Sequence, residues 1–100
     1  GKSVIKPESA EALKQITDYL TANPTVKIYV VGHTDNTGLF AGNIALSKAR
    51  AKAVKDYLVT KGKIAATRLS SDGVASLCPV ATNATEDGKA LNRRVEIVKQ

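Results

Sequence analysis

The stretch VKIYVVGHTDNTG, residues 26–38, decides how this chain folds. Its first half, residues 26–31, is short, rich in β-branched side chains and preceded by an Asn-Pro break, which predicts a strand largely buried on both faces. Its second half is polar and rich in glycine, threonine and asparagine, which predicts a loop over residues 33–42. Open α/β sheets keep their binding sites at the carboxyl ends of strands. The stretch therefore predicts a central strand and the position of a functional site.

Helical spacing of apolar residues is found on both sides of this strand. The pattern predicts a first helix over residues 7–22, with Pro7 in its first turn. A second helix is predicted over residues 43–61, ended by Gly62. Its predicted apolar face consists of Leu46, Ala49, Ala53, Val54, Tyr57 and Leu58.

The last third of the chain predicts two further strands. Residues 69–76 have weaker strand character because Gly73 interrupts them, and residues 95–98 close the chain as a β-branched strand. Residues 78–88 are polar and are predicted to connect the two, with room for one helical turn. The order helix, strand, helix, strand, strand predicts a small α/β domain.

Composition and charge limit the classes of function. A chain of 100 residues, 43% hydrophobic and 24% charged, is expected to form one soluble domain over residues 1–100. Its net charge of +6 favours nucleic acid, acidic lipid headgroups or the carboxylate-rich peptides of a cell wall. Only 4% of residues are aromatic and the lysines are dispersed, which argues against nucleic acid. We find no apolar run of transmembrane length and no signal-peptide core, so a membrane tether and a targeting segment are expected elsewhere in a longer exported protein.

The residues for metal or nucleophilic chemistry are scarce. His33 is the one histidine, and with Asp35 it gives only two of the three or four ligands that a metal usually needs. Cys78 is the one cysteine, which excludes an internal disulfide, and it lies far from His33 in sequence. We therefore predict that the chain is not an enzyme and uses neither a metal nor another cofactor.

Four motifs occur in a fixed order along the chain: GHTDNTG at 32–38, NIALSKARA at 43–51, Pro79-Val80-Ala81 with Asn83, and NRRVEI at 92–97. Together they resemble the OmpA-like C-terminal domain family, which includes peptidoglycan-associated lipoproteins, periplasmic domains of porin-like proteins and flagellar stator subunits. The resemblance implies a two-layer α/β sandwich with helices on one face of a small mixed sheet. It also implies non-covalent binding of peptidoglycan, through the diaminopimelate of the stem peptide, in the periplasm. Such a domain would anchor the outer membrane or a lipoprotein to the cell wall.

The resemblance implies that Asp35 and Arg50 hold the two charges of diaminopimelate. A carboxylate suits the ligand's ammonium group, and a planar guanidinium suits its carboxylate. Arg50 lies about two turns into the second helix, and helical side chains lean toward the N-terminus, so it can reach the loop. Free amides near Asn43 and Ile44 would add positive potential. From spacing alone, a surface ion pair between Asp35 and Arg50 is an equal alternative.

Further pocket residues follow from the same resemblance. Thr34, Asn43 and Leu46 are expected to line the pocket, although loop geometry and helix capping also explain Thr34 and Asn43. Gly38 is expected to be structural. Arg93 either faces the ligand or forms a structural salt bridge, and the two alternatives are equally open.

The chain departs from the family pattern at two places. Members usually carry a strand before the first helix that ends near a GKS-like phrase, whereas this sequence begins at GKS, so that strand is expected to be absent or supplied by another chain. The oligomeric state is left open. The family often shows Gly-x-Gly where this chain has Gly73-Val74-Ala75. The alternative function is a structural or partner-binding domain that kept the fold and lost the ligand.

Overall fold

The computed structural model describes residues 10–77 and 79–100. These residues form three α-helices, three strands and one 3₁₀ turn. In chain order they are α1 (Ala10–Ala22), β1 (Ile28–Gly32), α2 (Phe40–Thr60), the 3₁₀ turn (Ala66–Arg68), β2 (Leu69–Gly73), α3 (Glu86–Asn92) and β3 (Val95–Lys99).

The strand β1 lies at the centre of the sheet, as its apolar sequence predicts. It runs parallel to β2, with Gly32 opposite Gly73, and antiparallel to β3, with Gly32 opposite Val95. The carboxyl ends of β1 and β2 therefore meet the amino end of β3 at one edge of the sheet. This mixed arrangement confirms the predicted sheet and brings the loop after Gly32 beside the segment that precedes Val95.

The helices α1 and α2 cover one face of this sheet, which confirms the predicted two-layer α/β sandwich. The opposite face is open among the described residues, with Tyr29 of β1 48% exposed. The prediction that β1 is buried on both faces is therefore wrong, because its side chains alternate between the helical layer and solvent. The buried apolar core consists of Leu13, Leu20, Ile28, Val30, Ala51, Val54, Leu58, Ile64 and Leu69.

A seam between α2 and the sheet sets how closely the two layers approach. Gly32 and Gly73 lie against Ser47 of α2, and a Cβ atom on either glycine would overlap atoms of Ser47. The buried positions of α2 are Ser47, Ala51, Val54 and Leu58. Ala49, predicted on the apolar face, is exposed instead. Small side chains allow α2 to pack close to the strands. A prediction based on hydrophobicity alone therefore assigned part of the buried face incorrectly.

The helix α2 begins earlier than the sequence indicated. It starts at Phe40 rather than at residue 43, and its N-cap, Leu39, makes no side-chain capping bond. Thr34 and Asn43, for which helix capping was one explanation, therefore do not cap this helix. The helix ends at Thr60, close to the predicted end. The residue with a left-handed backbone after it is Lys63 (φ 57°), and not Gly62, which was predicted to end the helix.

The helix α3 is longer than the single turn that the sequence allowed. Thr85 caps it by accepting a hydrogen bond from the amide of Gly88 at 3.1 Å. The buried residues of α3 are Gly88 and Asn92. Since neither residue is hydrophobic, α3 has no apolar periodicity that could have predicted it.

Several predictions fall outside the described residues. They are the helix start at Pro7, the first strand that members of the family carry, and any role of Cys78. Among residues 10–77 and 79–100, no helix is long and apolar enough to cross a membrane.

Candidate ligand-binding site

The loop over residues 33–38, named here the site loop, is fixed at its start to the residues that flank the two neighbouring strands. The His33 amide donates to the Arg94 carbonyl at 2.7 Å, and the Thr34 amide donates to the Ala75 carbonyl at 2.9 Å. Ala75 has a left-handed backbone (φ 51°) and its amide donates to Ser47 Oγ at 3.1 Å. The position where the family often has glycine therefore still adopts a backbone conformation that favours glycine.

Asp35 is the acidic residue of the site loop and is only 7% exposed. Its Oδ1 accepts a hydrogen bond from the Thr37 amide at 2.8 Å, and its Oδ2 accepts one from Arg93 Nη1 at 2.7 Å. Burial alone raises the pKa of Asp35, but the hydrogen bonds from Thr37 and Arg93 outweigh it, so the pKa lies below 3.8. Asp35 is therefore ionised at neutral pH and its carboxylate is held in one orientation.

Thr34 and Asn43 shape the site loop. Thr34 is buried, and its Oγ1 donates to the Asp35 carbonyl at 2.8 Å. Asn43 Nδ2 donates to the Thr37 carbonyl at 2.9 Å and lies 3.5 Å from the Asp35 carbonyl. These bonds give both residues the loop-shaping role that was the alternative to ligand contact.

Two further predictions about the start of α2 have a clear outcome. The Asn43 amide donates to the Leu39 carbonyl at 3.0 Å. It is already inside the helix, so the expectation of a free amide at Asn43 is wrong. Gly38 has φ 86°, a conformation that side chains disfavour, in agreement with its expected structural role.

Arg50 reaches back from α2 to the site loop, as the lean of helical side chains predicts. Its Nη1 donates to the His33 carbonyl at 3.3 Å. Burial lowers the pKa of Arg50, the charge of Arg93 lowers it further, and Asp35 opposes both effects. The three charged groups therefore lie close enough to influence one another. Leu46, the predicted apolar lining residue, is half-buried on the same helix.

Arg93 joins the site loop to α3. Its guanidinium donates to Asp35 Oδ2 at 2.7 Å and to Glu86 Oε1 at 2.9 Å. The hydrogen bond to Asp35, followed by the one to Glu86, raises the pKa of Arg93. The salt bridge that was one of the two alternatives for Arg93 is therefore present, and Arg93 also lies at the site.

His33 lies behind the site loop, 3% exposed. Its Nε2 lies 3.5 Å from Glu96 Oε2, a contact at the limit of hydrogen-bond distance, and neither ring nitrogen makes a well-formed hydrogen bond among the described residues. Glu96 instead binds Arg94 Nε at 2.7 Å. Burial lowers the pKa of His33, and the charge of Arg94 lowers it further. In the described ranges, no three His, Cys, Asp or Glu residues group as a metal site would need.

Two residues near the site were not singled out from the sequence. Asn92 is fully buried, and its Oδ1 accepts from the amides of Val80 and Ala81 at 2.8 and 3.1 Å. The sequence could have indicated this role, because Asn92 begins the NRR motif and its hydrogen-bond donors belong to the Pro79-Val80-Ala81 motif. Lys89 Nζ contacts Thr37 Oγ1 at 3.2 Å, and no motif marked it.

With this geometry, the chain belongs to a known class of envelope domains. The sequence model of the OmpA family matches residues 1–93, so the chain is a member of that family. The crystal structure of the peptidoglycan-associated lipoprotein from Burkholderia pseudomallei superposes with a TM-score of 0.92 at 28% identity, covering 99% of this chain and 83% of that one. The three helices and the mixed sheet described here are thus the fold of this family.

Two curated relatives are similar over almost the whole chain. The peptidoglycan-binding protein ArfA of Mycobacterium tuberculosis is 47% identical over 98 residues, which cover 98% of this chain and 29% of that protein. Outer membrane porin F of Pseudomonas fluorescens is 45% identical over 95 residues, which cover 95% of this chain and 29% of that protein. The chain therefore spans less than a third of the length of these relatives. Of the proteins named here, ArfA carries a binding function in its name, and none carries the name of an enzyme.

Proposed function

We propose that this domain binds peptidoglycan non-covalently, without catalysis, through the diaminopimelate of a stem peptide. The observation that carries the proposal is the ionised Asp35 carboxylate, fixed by the Thr37 amide, with Arg50 and Arg93 beside it. A carboxylate and a guanidinium presented together suit a group that bears an ammonium and a carboxylate on one carbon. The name of ArfA, a peptidoglycan-binding protein, supports the same ligand class.

The carboxylate can accept a ligand while it keeps its present bonds. Each carboxylate oxygen can accept more than one hydrogen bond; the Thr37 amide binds Oδ1 of Asp35, and Arg93 binds Oδ2. A ligand ammonium would approach through the exposed tenth of the Asp35 side chain. Arg50 would then bind the ligand carboxylate, and Arg93 would be shared between Asp35 and the ligand.

The proposed setting is the periplasm, next to the outer membrane. Relatives such as outer membrane porin F belong to that membrane, and the +6 charge favours attraction to an acidic wall polymer. Anchoring would come from many weak contacts made by many copies, because linked binding events reinforce one another. The domain would thereby hold the outer membrane, or a lipoprotein, to the wall.

A second candidate function is a structural domain that no longer binds the wall. One observation favours it: Asp35 and Arg93 already satisfy each other, so the charges at the site do not require a ligand. In that case, the site loop and its ion pair would serve only to join β1 to α3.

Co-sedimentation with purified sacculi separates the two candidates. Asp35→Asn and Arg50→Ala should each lose nearly all binding, since breaking a charge-assisted contact in a partly desolvated site costs about 2 to 5 kcal/mol. Asp35→Asn keeps an oxygen for the Thr37 amide, so it tests charge without removing that loop bond. Lys52→Ala is the matched control, because it removes one positive charge from the solvent side of the same helix.

The two candidates predict different results for the parent protein. The peptidoglycan-binding function requires sedimentation at moderate salt and retention by Lys52→Ala. A parent that stays in the supernatant, or an Arg50→Ala variant that binds normally with a native circular dichroism spectrum, would contradict the proposed contacts.

A further inference from the structure

Three cationic side chains converge on the site loop from two helices. Arg50 of α2 reaches the His33 carbonyl at 3.3 Å. Arg93, which caps the end of α3, reaches Asp35 at 2.7 Å. Lys89 lies one turn before Arg93 and reaches Thr37 Oγ1 at 3.2 Å. Residues four apart share one helical face, so α3 directs two cations toward the same loop.

The two carboxylates described beside this loop are bound to Arg93 and not to Lys89. Asp35 and Glu86 both bind Arg93. In the part of the chain that the structure describes, no carboxylate lies within 4.0 Å of Lys89 Nζ, and its hydrogen-bond partner is the neutral hydroxyl of Thr37. The positive charge of Lys89 is therefore not paired with a carboxylate among the described residues. The zwitterionic end of diaminopimelate is neutral overall and does not compensate this charge.

We propose that Lys89 binds a second carboxylate of the ligand, so that the site prefers stem peptides with a free carboxylate beside the zwitterionic end of diaminopimelate. This inference rests on the proposed peptidoglycan-binding function. A lysine suits the task because its ammonium is a compact charge on a flexible stem, which can leave a hydroxyl for a carboxylate. The second carboxylate is either the terminal one or the one on the glutamate residue of the stem.

Synthetic peptides with single carboxamides test the inference. The parent, Lys89→Gln and the matched control Lys61→Gln, which removes an exposed lysine after the end of α2, are titrated by NMR with a stem tripeptide ending in diaminopimelate. Each carboxylate of the peptide is replaced in turn by a carboxamide. For the parent, one carboxamide outside the zwitterionic end should weaken binding roughly fivefold at low salt. The identity of that carboxamide tells which carboxylate Lys89 reads.

Lys89→Gln should bind the free-acid peptide as weakly as the parent binds the peptide with the discriminating carboxamide. The variant should also bind these two peptides equally well. Lys61→Gln should behave like the parent. The preference of the parent should shrink between 0.05 and 0.5 M salt, by roughly the screening expected for an exposed pair.

Distinct results overturn this inference and the proposed function. If the parent binds the peptides but Lys89→Gln weakens all of them by one factor, or loses only discrimination at the zwitterionic end, Lys89 does not read a second carboxylate. If the parent binds no peptide and does not sediment with sacculi, the proposed function itself is wrong and the inference falls with it. The amide spectrum of Lys89→Gln shows directly whether the variant is folded.

Discussion

The seam between α2 and the sheet meets the charged site loop at Gly32, which belongs to the seam and precedes the loop, yet the two regions are held by different forces. At the seam, Gly32 and Gly73 leave no room for a Cβ atom against Ser47. In the site loop, position is fixed by hydrogen bonds and by the ion pair between Asp35 and Arg93. The space between the layers limits which side chains fit at the seam, and polar and charged contacts hold the site loop in position. Substitutions should therefore damage the fold at the seam and binding at the loop.

The largest effect is expected from adding one methyl group at the seam. In Gly32→Ala, the new Cβ would overlap the backbone carbonyl of Ser47, which cannot move away without shifting α2. Overpacking of this kind costs about 1 to 3 kcal/mol or more, a large part of the total stability of a small domain. Thermal melts should show a fall of more than ~8 °C. A variant that melts within 2 °C of the parent would mean that the seam is not close-packed.

A smaller effect is expected from the titration of His33 below the site loop. Burial and the charge of Arg94 lower the pKa of His33 beneath 6.5, while Glu96 opposes them less strongly. The unfolded chain then takes up a proton more readily than the folded one. This contribution to stability is present above pH 6.5 and is lost as the pH falls from 6.5 through the lower folded pKa.

Denaturant unfolding at pH 7.5, 6.5 and 5.5 measures this effect. The parent should become less stable on acidification, whereas His33→Gln, which cannot titrate, should change less. Asp35 and Glu96 do not interfere in this range, because both have a lowered pKa and their contributions are lost only below pH ~5. Equal pH dependence in both proteins would assign the effect to other groups.

The strands and the site loop were predictable because their signals are local. The β-branched run and the glycine that ends β1 are contiguous in sequence, and Asp35 lies three residues after that glycine. The family motif supplied Arg50, whose lean toward the loop follows from helix geometry. These features depend on residues that are near one another in the chain.

The remaining features depend on contacts between distant residues. The buried face of α2 is set by two glycines in other elements, so Ser47 is buried although it is polar. The partner of Arg93 is 58 positions away, and two roles were equally compatible with the sequence. The helix α3 buries a glycine and an asparagine, which gives no apolar pattern.

The smallest effect is expected at Gly42, which lies in sequence between the site loop and Ser47 of the seam. It sits in the first turn of α2, and a Cβ atom there meets nothing within 4 Å. Gly42→Ala should therefore stabilise the domain by about 0.5 kcal/mol, since alanine loses less backbone freedom than glycine in a helix. Melts run beside Gly32→Ala should show a rise of a few degrees. A fall would mean that the start of α2 needs the flexibility of glycine, and the same methyl group would then damage both positions for different reasons.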